Sequence, residues 1–112
     1  MELSSHTSEG MRIITVPDAR IDAAVAIEFK DAMRGMIEDA PERLVLDLGH
    51  VNFIDSSGLG AIVASMKMLN GERSLALAAM TPTVAKVFKL TRMDTVFDIY
   101  ETVDLAKFDV AS

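Results

Sequence analysis

The stretch that decides the fold is LVLDLGHVNFIDSSGLG, residues 44–60. Residues 44–48 are apolar apart from Asp47, and an apolar run of this kind predicts a strand buried on both faces. Residues 51–54 form a second short extended segment, and Asp55, Ser56 and Ser57 are of types that cap helices. The stretch therefore predicts a central strand, a short connection and the start of a helix.

The helix that begins at the serines has two apolar sides. Its predicted core stripe has i, i+3, i+4, i+7 spacing and consists of Leu59, Ile62, Val63 and Met66, with Leu69 beyond it. The opposite face carries no charge and consists of Ala61, Ala64, Ser65 and Met68. Asn70-Gly71-Glu72 is predicted to end the helix. An exposed helix face without charge is a candidate protein interface, although packing beneath the terminal segment of the same chain explains it equally well.

Strands and helices alternate on both sides of this stretch. Residues 11–16 and 74–79 are predicted strands, and residues 96–100 a shorter one. One helix is predicted between Asp22, as its N-cap, and Pro41, another opens at Thr81-Pro82, and residues 103–108 form a terminal helical segment. The first ten residues are either a frayed tail or an edge strand ending at Gly10. This alternation predicts an α/β fold with a largely parallel sheet centre.

Length and composition exclude several classes of function. The 112 residues predict a single domain over residues 1–112, and the net charge of −6 disfavours nucleic acid and anionic membrane surfaces as partners. The chain has no cysteine, so it offers neither a disulfide framework nor a thiolate metal site. Residues 1–10 lack the basic and apolar regions of a secretion signal, and no apolar run approaches the ~18 residues that span a bilayer. We expect a cytoplasmic protein.

Residues for catalysis are scarce, and we expect no enzyme, cofactor or metal. A nucleophilic serine needs a nearby base, and the only histidines are His6 and His50, which also lack the spacing of metal ligands. Gly58-Leu59-Gly60 lacks the third glycine of a dinucleotide site and the lysine of a P-loop. A receiver domain would need clustered acids after its first core strand, where only Asp18 lies.

The unusual feature is a pair of hydroxyls at a helix N-terminus. Free N–H groups and the positive end of the helix dipole meet there, so the position tolerates a phosphate on Ser56 or Ser57. A purely structural cap is the alternative interpretation of the same residues.

These residues resemble the STAS domain, and in particular the free-standing bacterial anti-sigma factor antagonists. The most specific part is the Asp55-Ser56-Ser57-Gly58-Leu59-Gly60 motif with the strand before it. Arg20-Ile21-Asp22 is similar to the family's G-x-[LI]-D turn, with Ala19 in the place of the glycine, and Thr81-Pro82-Thr83-Val84 is similar to a later helix start. The resemblance covers nearly the whole chain.

The resemblance implies a mixed four- to five-stranded sheet with helices packed on one face, and a regulator without enzymatic activity. It implies that Ser56 is phosphorylated by a serine kinase of the histidine-kinase-like ATPase fold, which doubles as the anti-sigma factor. The unphosphorylated chain binds that kinase and releases its target, and a metal-dependent serine phosphatase resets the switch. The expected partner-binding residues are Asp22, Asp55, Ser56, Ser57, Gly58, Gly60, Ala61, Ala64, Ser65 and Met68. The alternative is a STAS subunit that binds a transporter ATPase without a phosphorylation cycle; Ser57 and Gly60 favour the regulatory branch.

Overall fold

The computed structural model describes residues 1–70 and 73–111, with side chains through residue 108. The strands are β1 (Ser4–Ser8), β2 (Met11–Thr15), β3 (Arg20–Ile21), β4 (Arg43–Asp47), β5 (Phe53–Ile54), β6 (Ser74–Ala78) and β7 (Asp98–Tyr100). The helices are α1 (Ala26–Glu38), α2 (Ser56–Lys67), α3 (Pro82–Leu90) and α4 (Val103–Ala111), with a 3-10 turn at Met93–Thr95. Helix α2 ends at Lys67, a little before the predicted stop at Asn70-Gly71-Glu72, of which Gly71 and Glu72 lie outside the described residues.

The main sheet has five strands in the order β1-β2-β4-β6-β7. β2, β4, β6 and β7 run parallel, and β1 pairs antiparallel with β2 through a turn at Glu9 and Gly10, where φ is 55° and 76°. Positive φ at both central residues gives the turn a twist that matches the twist of the strands. The predicted α/β fold with a mixed sheet is confirmed, and the first residues form its edge strand. β3 and β5 form a separate two-stranded parallel sheet.

Alternate side chains of the main sheet face two apolar layers. Leu44, Leu46 and Leu77 pack with α1, α2 and α3 on one face. Val45 and Ala76 point to the opposite face, which α4 covers. Three helices therefore share one face of the sheet, as expected, and α4 adds a layer on the other.

Helix α1 starts later than predicted. Its N-cap is Val25, whereas Asp22 belongs to the turn before the helix, where its carbonyl accepts a hydrogen bond from the Val25 N–H (3.0 Å). The Asp22 carboxylate accepts another from the Ala24 N–H (3.1 Å), so this side chain is used within the turn. From Ala26 onward apolar residues at helical spacing face the core, with Phe29 and Met33 fully buried. Burying a side chain of this size contributes about 1.5–3 kcal/mol.

Helix α3 is anchored to the same core. It begins at Pro82, as predicted, and Val84 and Phe88 are fully buried. The Phe88 ring meets the Phe97 ring edge to face, with centroids 6.1 Å apart. Met93 lies on the 3-10 turn between these two residues and packs against the same core. None of the helices described is long and apolar enough to cross a membrane.

Candidate functional site

Asp55 connects the start of α2 to the turn that follows β3. Its backbone is extended, with φ −106° and ψ −175°, and helical geometry begins at Ser56. One carboxylate oxygen accepts a hydrogen bond from the Gly58 N–H (2.8 Å), and the other from the Ala23 N–H (3.0 Å). The predicted capping role of Asp55 is confirmed. The same side chain also ties together two segments that are far apart in sequence.

These hydrogen bonds keep the Asp55 carboxylate ionised. The N–H of Gly58 makes the largest contribution to lowering the pKa of Asp55 below its ordinary value. Desolvation acts in the opposite direction, and the N–H groups of Ala23 and Ser57 lower the pKa further. Hydrogen bonds donated to a carboxylate favour its charged form. A fixed negative charge therefore lies beside Ser56 at neutral pH.

Gly58 allows α2 to approach β3 closely. A β-carbon on residue 58 would lie 2.0 Å from the carbonyl oxygen of Ile21, a separation that real β-carbons do not adopt. Gly58 is buried, and its contribution to the site is this close packing. The glycine of the motif is therefore required by the fold.

Ser56 and Ser57 are exposed at the first turn of α2. Ser56 lies at one end of a shallow groove, the Ser56 groove, which is lined by Ser56, Leu59, Gly60, Val63, Ala64, Lys67 and Met93. Gly60 opens onto free space, since a β-carbon there would meet nothing within 4 Å. Another protein can reach the serine and the groove together.

Asp22 lies on the neighbouring turn, as part of an ordered polar cluster. Its carboxylate pairs with Arg20 Nε at 3.2 Å, and the Arg20 guanidinium lies 4.1 Å from the centroid of the Phe53 ring. β3 and β5 carry this stacked pair side by side, because Arg20 and Phe53 are register partners. Asp22 and Asp55 thus hold successive N–H groups of the same turn, those of Ala24 and Ala23.

The uncharged face of α2 is only partly exposed, which corrects the prediction of an open interface there. Ala61 and Ser65 are buried, and Ala61 belongs to the main hydrophobic core. The Ser65 hydroxyl donates a hydrogen bond to the Ala61 carbonyl (2.8 Å) and is satisfied within its own helix. Ala64 and Met68 stay half-exposed and line a groove between the two helices. A partner can therefore contact Ala64 and Met68, but not Ala61 and Ser65 in this arrangement.

Sequence periodicity missed the exposed strip of α2. This strip runs from Ser56 through Gly60 and Val63 to Lys67, at i, i+4, i+7 and i+11. Val63 packs against the core, as predicted, but it is only partly buried and also lines the Ser56 groove. The charge of Lys67 and the small size of Gly60 were the sequence features that indicated an exposed side of the helix.

The part of the chain that the structure describes holds no cluster of three or more His, Asp or Glu that could bind a metal ion. His6 and His50 are both exposed, on β1 and on the turn after β4.

Comparison with known proteins gives consistent matches. The STAS domain family matches residues 2–106. A STAS-domain containing protein of Pseudomonas aeruginosa is 27% identical over 94 residues, which cover 83% of this chain and 92% of that protein. An anti-sigma-B factor antagonist of Staphylococcus aureus is 23% identical over 82 residues, covering 72% of this chain and 76% of the relative. The crystal structure of an anti-sigma factor antagonist from Mycobacterium paratuberculosis superposes with a TM-score of 0.88 at 28% identity, covering 99% of this chain and 94% of that one.

Proposed function

This chain belongs to the STAS domain family, and we propose that it is an anti-sigma factor antagonist that works by partner switching. In this proposal the unphosphorylated chain binds a serine kinase that is also the anti-sigma factor, and so frees the kinase's target. Phosphorylation of Ser56 abolishes the binding. The names of the relatives from Staphylococcus aureus and Mycobacterium paratuberculosis support this class of function.

The observation that carries the proposal is the contrast between Ser56 and its neighbours. Asp55 and Gly58 are fixed by hydrogen bonds and close packing, whereas Ser56 is exposed at the end of a groove. A kinase can modify this hydroxyl without disturbing the core. The modified side chain then stands at the edge of the surface that a partner would cover.

The charges around Ser56 support a loss of partner binding on phosphorylation. A phosphate on Ser56 adds about −1.5 to −2 charges at neutral pH, beside the ionised Asp55. The N-terminal end of α2 favours that charge locally, so the fold tolerates it. An interface built around a neutral hydroxyl has to accommodate both negative charges on closing. Each tenfold loss of affinity corresponds to about 1.4 kcal/mol, so a modest repulsion is enough to exchange partners.

The proposal assigns all catalytic chemistry to the partners. The kinase, of the histidine-kinase-like ATPase fold, binds ATP and transfers its γ-phosphoryl group to the Ser56 hydroxyl with release of ADP, and a metal-dependent serine phosphatase hydrolyses the phosphoserine to serine and inorganic phosphate. The chain itself acts as a non-enzymatic regulator in the cytoplasm, where transcription takes place. Asp22, Ser57, Gly60, Ala64 and Met68 are the proposed partner contacts around Ser56.

Mapping the phosphate tests this function. The chain is incubated with ATP and its partner serine kinase, and intact mass and fragment analysis locate the modification. We expect one phosphate, on Ser56. Ser56→Ala should remain unmodified, while the matched Ser57→Ala variant should still be phosphorylated on Ser56. Modification mainly at Ser57 would contradict the proposed site, and no phosphate at either serine would favour a transporter-associated subunit.

A further inference from the structure

A second groove, the α1–α2 groove, runs along the seam between these two helices. It is lined by Ile27, Lys30, Asp31, Arg34, Ala64, Lys67 and Met68. The seam continues to the C-terminal end of α1, where it is lined by Arg34, Ile37, Glu38, Met68 and Arg73. From Ile27 to Glu38 the helix rises about 16 Å, or three turns, which is the length of a short helical segment.

Three of the residues that line this groove are apolar, namely Ile27, Ala64 and Met68. Ile27 is 69% exposed, which is unusual for a large aliphatic side chain on a helix that already buries another face. Ala64 and Met68 lie half-exposed on the α2 side, and the small side chain of Ala64 leaves depth between the helices. Unbranched methionine adapts its shape to an apolar ligand.

The charged residues that line the groove are mainly basic, although the chain as a whole carries a net charge of −6. Lys30 and Arg34 line it from α1, and Lys67 lines it from α2. Asp31 is the one acid among the residues that line this section, and it pairs with Arg34 at 3.5 Å, both side chains being exposed. The section therefore presents a net positive charge, complementary to an acidic ligand.

The α1–α2 groove is continuous with the Ser56 groove. Ala64 and Lys67 line both of them. A ligand seated between α1 and α2 therefore ends beside the surface that carries Ser56. The two surfaces can be covered by one partner.

We propose that the α1–α2 groove binds an acidic amphipathic helix of a partner protein. The apolar side of that helix packs on Ile27, Ala64 and Met68, and its acidic flanks meet Lys30, Arg34 and Lys67. An apolar stripe with charged flanks is the usual way in which a helix binds a groove. The inference rests on the proposed function only in assuming a protein partner; the groove's chemistry is independent of whether Ser56 is phosphorylated.

A designed peptide pair tests the groove directly. One labelled peptide is a three-turn helix with leucines along one face and glutamates elsewhere, and the other has lysine in place of each glutamate. Fluorescence anisotropy should show the acidic peptide binding about tenfold or more tightly than the basic one. NMR spectra of the full chain should show the Ile27 and Met68 methyl signals shifting as the acidic peptide is added.

Charge-reversed variants locate the contact. Lys30→Glu combined with Arg34→Glu should weaken acidic-peptide binding by about tenfold or more. Lys86→Glu combined with Lys89→Glu, on exposed positions of α3, changes the net charge equally and should leave binding unchanged. Equal binding of both peptides, no binding, or equal losses in both double variants would overturn the proposal. So would methyl shifts confined to another surface.

Failure of this proposal is distinguishable from failure of the proposed function. Affinity for the kinase is measured separately for the wild-type chain and for Ser56→Asp. If the chain does not bind the acidic peptide but loses kinase binding on Ser56→Asp, the proposal for the α1–α2 groove alone is overturned. If the chain binds the peptide in the groove and Ser56→Asp does not change its affinity for the kinase, the proposal for the groove stands and the proposed switch is contradicted. Self-association, seen by sedimentation as a dimer lost in the Lys30→Glu, Arg34→Glu variant, would assign the groove to a second copy instead and overturn the proposal.

Discussion

The carbonyl oxygen of Ile21 lies 2.0 Å from the position that a β-carbon on Gly58 would occupy. Ile21 is a fully buried residue of β3, and Gly58 stands in the first turn of α2. The contact sets how deeply α2 sits against the small sheet, and therefore where Ser56 emerges. Gly58 of the motif is therefore required for packing against the backbone of Ile21.

We expect Gly58→Ala to lower the free energy of unfolding by about 3 kcal/mol or more, because the added methyl group meets backbone that cannot rotate away. Gly60→Ala is the matched control, since a β-carbon there meets nothing within 4 Å. Alanine has the better helix propensity, so this variant should be stabilised by about 0.5–1 kcal/mol. Urea denaturation of both variants makes the comparison. Equal effects would contradict the close approach of Ile21.

Asp55 should make folding sensitive to acid. Its pKa is lowered in the folded chain by the hydrogen bond from Gly58, so the unfolded chain binds a proton more readily. The stabilisation is therefore present above the unfolded pKa of about 3.9 and is lost as the pH falls through the lower folded pKa. Asp55→Asn keeps an oxygen acceptor for the cap but cannot titrate. Thermal melts from neutral to acidic pH should show a smaller loss of stability in Asp55→Asn than in the wild type; parallel curves would contradict this role.

Ala61 and Ala64 should respond differently to the same enlargement. Ala61 is buried in the core, so Ala61→Phe should cost about 1–3 kcal/mol of stability. Ala64 is half-exposed between the two grooves, and Ala64→Phe should change stability by only about 0.5 kcal/mol. Phenylalanine at residue 64 fills both grooves, so kinase binding should weaken in a chain that remains folded. Calorimetric unfolding together with kinase titration checks both outcomes.

Periodicity predicted most of the elements, because apolar spacing follows burial directly. The central strand, the Asp55 cap and the helix that begins at Ser56 follow from residue types close together in sequence. The start of α1 could not be predicted in this way, because aspartate is common both in turns and at helix N-caps. In the structure Asp22 forms a turn, since the N–H groups of Ala24 and Val25 donate hydrogen bonds to its carboxylate and its carbonyl.

The exposed side of α2 was ambiguous for a different reason. Both of its long faces lack charge, so composition does not say which face meets α1. Small side chains such as Ala61 and Ser65 suit close helix packing as well as they suit a protein interface. Only the tertiary arrangement separates the buried pair from Ala64, which remains accessible.

The central claim is tested most directly by isothermal titration of the kinase with the unphosphorylated chain and with the chain phosphorylated on Ser56. We predict that phosphorylation weakens binding by about a hundredfold or more, which corresponds to about 2.7 kcal/mol. Ser56→Ala should bind like the unmodified chain, and Ser56→Asp should fall between the two because it adds a single charge. Equal affinity of the two forms, or tight binding by the phosphorylated chain with weak binding by Ser56→Ala, would contradict the account.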